Sequence, residues 1–190
     1  MQYLYVAVVA LIALTHMMAP DHWLPLVSLK AKRNYSRGRT TSLSATIGIL
    51  HGVSTSALSA LIVFAGTFYL SVLLLRTVSV VFLIVVALYI SVSAFIKKTG
   101  SAEIQQASLF ASIVPDPALV PVFLASASFG VAFTGVLVAV FVVVTTLTII
   151  AVVYLTSLGM LAILKRVTPE MMDYTISAML LLVAAYVLLS

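Results

Sequence analysis

The sequence predicts an all-α integral membrane protein, a single membrane domain over residues 1–190, with six transmembrane helices arranged as a 3+3 inverted repeat and the first and fourth helices broken. Three observations predict it: the composition, six long apolar runs, and a match of the chain to itself at half its length. Apolar residues make up 63% of the chain and charged residues 8%, against about 45–50% and about 25% in soluble domains. Low charge and high hydrophobicity exclude a disordered chain. The net charge of +5 is spread over short connections, which excludes a nucleic-acid binder. There is no cysteine, so disulfide scaffolding, thiol redox relay and soft-metal capture by thiolate are excluded as well. Any chemistry falls to His, Asp, Glu and hydroxyl groups.

Runs of the roughly 20 apolar residues that a helix needs to cross a bilayer fall at 3–29, 42–66, 77–96, 104–129, 132–162 and 169–189. The first run lacks a basic leading region and a small-x-small cleavage site and stays apolar through Leu29, so it reads as a span rather than a signal peptide. Lys30, Lys32, Arg33, Arg37 and Arg39 occupy the first connection, Lys97 and Lys98 the third, and Lys165 and Arg166 the fifth; Arg76 alone stands in an even one. The positive-inside rule therefore places the odd connections in the cytoplasm and both termini outside a cell membrane.

Thr168-Pro169-Glu170 opens the last span with a capping hydroxyl and a proline at the first helical position, and Glu170 and Asp173 sit where the helix dipole favours acids. Glu103, beside Gln105 and Gln106, reads as a solvated loop residue. Asp21 and Asp116 are left over, one well inside the first run and one near the centre of the fourth. A carboxylate at the centre of a span costs about 3 kcal/mol on insertion scales, and such groups face a cavity, a partner or a pathway. His16, His22 and His51 lie inside apolar runs too, at a depth shared with the two acids.

On a straight helix, at about 100° per residue, His16, Asp21 and His22 point in different directions. Pro20 and Pro25 remove backbone donors and disfavour helical geometry before them, which predicts a break around residues 18–21. Broken helices are tolerated in membranes where they line a cavity, so the break is itself a site prediction. In the second span His51, Thr55 and Ser59 follow at four-residue spacing, beside a parallel stripe of Gly48, Gly52, Ser56 and Ala60. That stripe suits close helix packing.

A shift of 95 residues brings Pro20-Asp21-His22-Trp23-Leu24-Pro25 onto Pro115-Asp116-Pro117-Ala118-Leu119, with Pro121 one place further along, and brings His51 near Thr145, Thr146 and Thr148. The halves, 1–98 and 99–190, thus each hold three spans, and three being odd, the second is inverted. Interrupted helices at corresponding positions of such repeats point to a site at the repeat interface. Spans one, two, four and five are expected to surround it, with three and six as outer support.

These residues resemble a known family. His16-x4-Asp21-His22 is similar to the H-x4-D-H signature of nickel/cobalt permeases and NicO-type efflux proteins, and Gly48-Ile-Leu-His51-Gly52-Val-Ser54 is similar to their second-span Gly-His-Ser element. Ile113-Val-Pro115-Asp116-Pro117-Ala-Leu-Val-Pro121 resembles the proline-rich start of their second half, which usually carries Cys where Asp116 stands. The chain departs from the family in having Thr15 where an Arg often precedes the first His, and in lacking a second acidic signature and a His-rich loop. The group belongs to the LysE-like superfamily, which also contains the electron carrier CcdA; a cysteine-free chain cannot run that relay alone.

The resemblance and the residues together lead to the expectation of a transporter, not an enzyme, for a divalent transition metal (Ni, Co or Zn), with His16, Asp21, His22 and His51 binding the ion and Asp116 completing or counterbalancing the site. Imidazole with carboxylate suits these ions better than Cu(I) or Ca. Two alternatives stay open: a non-transporting membrane subunit of a larger metal-dependent enzyme complex, and an integral-membrane metalloenzyme. Besides the bilayer and the ion, a homo-oligomer or a larger membrane complex is an open partner class.

Overall fold

A computed structural model of the protein describes residues 2–69, 71–99, 118–158 and 169–189. All the regular structure among them is helical. The first span is two helices, α1 (Gln2–Met18) and α2 (Pro20–Arg33). Ala19 between them is extended, with φ −62° and ψ 136°, the conformation that a following proline imposes on its neighbour. The break leaves carbonyls without helical donors. Two are taken up locally, that of His16 by the Ala19 N–H at 3.0 Å and that of Met18 by the Trp23 indole N–H at 2.9 Å. The break falls within the expected 18–21, and Pro25 lies inside α2, which runs on to Arg33. Asn34, left-handed at φ 51°, ends that helix by donating its N–H to the Lys30 carbonyl.

Ser36 opens α3 (Arg37–Tyr69), its hydroxyl accepting the Arg39 N–H at 3.3 Å. Ser71 does the same for α4 (Val72–Thr99) through the Leu74 N–H. After α5 (Leu119–Ser126) and a short 3-10 turn over Ala127–Phe129, Gly130 at φ 87° turns the chain into α6 (Val131–Ser157). The last helix, α7, is Pro169–Leu189, and it begins on the proline read from the sequence as its first residue.

Among the described residues, four stretches are long and apolar enough to cross a membrane: Gln2–Arg33, Arg37–Tyr69, Thr77–Ile96 and Val131–Ser157. Leu119–Phe129 and Asp173–Leu189 are shorter apolar helices. The outer surface is apolar, with Leu61, Phe64, Val85, Leu88, Val92, Phe95 and Leu182 exposed. A surface of that kind is covered by lipid in a membrane protein and by nothing comparable in a soluble monomer.

The main packing pairs are α3 with α6 and α4 with α7, followed by α1 with α6, α3 with α5, α4 with α5 and α1 with α7. One core cluster gathers Tyr5, Val9 and Ile12 of α1 with Leu83 of α4, Phe123 of α5, Leu137 and Phe141 of α6 and Leu180 of α7. A second gathers Met17, Trp23, Leu26, Ile47, Ile149, Val152 and Val153. Between α3 and α6 the backbones nearly touch: a Cβ at Gly48 would sit 2.7 Å from the Thr146 Cα, and one at Gly52 would sit 2.9 Å from the Val142 Cα. As the number rises along α3 it falls along α6, so these helices are antiparallel. The small-residue stripe read from the sequence is a packing seam at Gly48 and Gly52.

Candidate metal centre

Three imidazoles converge where the broken helix faces the middle of α3. His16 comes from the last turn of α1, His22 from the first turn of α2, and His51 from α3, about 21 Å along a helix some 50 Å long at about 1.5 Å per residue. The ring centroids of His16 and His22 lie 4.5 Å apart, those of His16 and His51 5.3 Å, and those of His22 and His51 5.2 Å. One ring nitrogen from each residue falls within 4.8 Å of the other two. His22 and His51 are buried, at 4% and 0% exposure, and His16 is half-buried.

The break at Ala19 makes this possible. Six residues of unbroken helix would turn His22 some 240° from His16; the extended residue resets the direction. On α3, small residues on either side of His51 let α6 close over it. The Thr145 hydroxyl, buried against this seam, donates to the Phe141 carbonyl at 2.8 Å, and the Phe141 ring lies 6.3 Å from that of His51. The Ser56 hydroxyl, one turn beyond Gly52, is buried with no hydrogen-bond partner among the described residues.

The donor set suits a borderline transition-metal ion. Nitrogens held about 2.1 Å from one ion in tetrahedral directions lie about 3.4 Å from each other. Donors within 4.8 Å of one another are at most about 1.4 Å wider than that spacing. Three imidazoles leave a coordination position for a carboxylate, water or cargo exchange.

Of the five site residues expected from the sequence, His16, His22 and His51 are together. Asp21 is in the first turn of α2, but its side chain lies outside the described residues, and so does all of Asp116. Phe141 and Thr145 are neighbours of the site that the sequence reading did not assign to it. Thr145 had a signal, since the half-length shift sets His51 near it; Phe141, one apolar residue in an apolar run, had none. No protein-family model matches the chain, and no curated protein or solved structure matches it either.

Proposed function

We propose that the protein is a membrane transporter of a divalent transition-metal cation of the Ni, Co or Zn class. The observation that carries the reading is the convergence of His16, His22 and His51 from three helices, with donor nitrogens within 4.8 Å, in a chain of long apolar helices. Asp21, next to His22 in the sequence, and Asp116, its partner under the half-length shift, are the carboxylates assigned to complete or counterbalance the site. Neutral imidazoles with carboxylate match this group of ions in ligand preference. The cation is the cargo.

Alternating access by rocking of two inverted halves is the mechanism that fits. The packing pattern supports it: exchanging the halves turns α1–α6 into α3–α5 and α1–α7 into α4–α5, and returns α3–α6 and α4–α7 to themselves. The reading has six spans, and the Lys and Arg bias supports cytoplasmic odd connections and outside termini.

The test is metal uptake into proteoliposomes by the native chain, His22→Ala and Asp21→Asn, with binding to the same proteins titrated in detergent. Loss of flux in folded variants supports the reading. Unchanged flux in both overturns it, and a stoichiometric complex on purification, with binding but no flux from the isolated chain, favours the subunit alternative.

A further inference from the structure

The other feature built from the same helices is a strongly basic cleft at their far end, where α2 leaves for α3. One part of it, a narrow crevice of about 10 Å³, is lined by Lys30, Arg37, Thr40, Thr41 and Ser44 against Ile150, Val153 and Ser157 of α6. An adjoining part, about 320 Å³ and open to the surface, adds Val27, Ala31, Asn34 and Tyr35, and shares Lys30 and Ser157. The polar lining is cations and hydroxyl groups. The sequence holds no carboxylate between Asp21 and Glu103, so the five cations of residues 30–39 have no acid near them in the chain. Arg39 is engaged otherwise, its guanidinium lying 4.2 Å from the centroid of the Tyr35 ring. Lys30 and Arg37 are the cations in the lining.

A metal cation gains nothing from such a lining, so the cleft does not extend the imidazole site. Its charge is what suits a phosphate: Lys30 and Arg37 supply the cations, while the Thr40, Ser44 and Ser157 hydroxyls already donate to the carbonyls of Ser36, Thr40 and Val153. Its other wall is apolar, with Val27, Ala31, Ile150 and Val153 on the side toward the spans. We propose that this cleft is a binding site for a phosphate group carried on an apolar tail, the headgroup of an anionic phospholipid, held by Lys30 and Arg37. Exposed Ala31 and half-buried Val27 and Ile150 take the start of the acyl chains, and a free phosphate would leave them uncovered.

The experiment uses the whole chain, delipidated in detergent, with phosphatidic acid, phosphatidylcholine and inorganic phosphate as separate probes, read by native mass spectrometry and by thermal melting. Phosphatidic acid is retained and raises the melting temperature, and phosphatidylcholine does not. Lys30→Gln with Arg37→Gln weakens retention about thirtyfold, taking about a fivefold loss for each interfacial cation. Lys30→Arg with Arg37→Lys restores it. Lys97→Gln with Lys98→Gln, the same change of charge elsewhere in the sequence, leaves it intact. Equal loss in the two Gln pairs, or no preference for phosphatidic acid, overturns the proposal; stabilisation by inorganic phosphate equal to that by the lipid overturns the lipid source while keeping the phosphate. The metal titration is read on the same samples, so failure here is distinct from failure of the imidazole site.

Discussion

Gly52→Ala tests whether the packing of α3 on α6 holds the candidate metal centre. The added methyl carbon would lie 2.9 Å from the Val142 Cα and 2.9 Å from the Thr145 hydroxyl oxygen. Carbon atoms rest about 3.5–4.0 Å apart, so the two backbones must separate by about 0.6–1 Å at this point. Backbone atoms offer no rotamer change to relieve the contact, and overpacking of this kind costs about 1–3 kcal/mol. His51 precedes Gly52 and moves with α3, whereas metal–nitrogen distances tolerate about 0.2 Å. We therefore expect Gly52→Ala to lose both stability and, by tenfold or more, metal affinity. Gly48→Ala, 2.7 Å from the Thr146 Cα, should do the same. Gly135→Ala is the control: nothing lies within 4 Å of its added carbon, and replacing an exposed helical glycine gains about 0.5–1 kcal/mol. The measurements are denaturant unfolding in detergent and metal titration. Gly52→Ala as stable and as tight-binding as Gly135→Ala would refute the argument.

Other outcomes follow from the same geometry. Protons compete with the ion for imidazole nitrogens, so metal affinity should fall as the pH of the titration is lowered; an affinity that rises on acidification would exclude imidazole ligation. Pro20→Ala allows Ala19 a helical conformation and turns His22 away from His16, so metal binding should drop at least tenfold while helical content, read by circular dichroism, holds or rises. Trp23→Phe removes the 2.9 Å bond to the Met18 carbonyl and leaves that carbonyl unanswered, which should cost about 1–3 kcal/mol in an unfolding titration. Ser56→Ala removes a buried hydroxyl with no partner among the described residues, and the same titration should find the variant as stable as the native chain or more so.

The break and the histidine cluster were legible because each rests on a residue type that stands out in an apolar chain. Pro20 imposes the extended Ala19 through its ring, a local steric effect that needs no tertiary information. Pro25 carries the same signal and no break, since five residues into α2 the loss of one donor is absorbed by a helix already formed. The helix ends were less legible. The apolar run of the second span is 42–66, yet α3 begins at Arg37 and ends at Tyr69; hydropathy marks the reach of the hydrocarbon, while the Ser36 cap sets the start of the helix. Phe141 and Val142 could not be assigned to the site or the seam. In α6 both faces are apolar, one for lipid and one for protein, so the periodicity that separates faces in a soluble helix carries little information.

Two unfavourable features coincide at one place in this fold, and their coincidence argues for a site more strongly than either does alone. A break in a membrane helix leaves carbonyls without helical donors, and each unsatisfied group in hydrocarbon costs several kcal/mol. Here the Trp23 indole is set to answer one of them. Burial of imidazoles also works against folding, because an apolar side chain at His22 or His51 would pack with no polar group to satisfy. Stability alone favours neither a proline at residue 20 nor histidines on both sides of it and across from it on α3. The break turns His22 toward His16, and the close approach at Gly48 and Gly52 seals His51 beside them. Each departure from what packing prefers serves to bring three nitrogen donors to one point, which is what a cation held within the span requires.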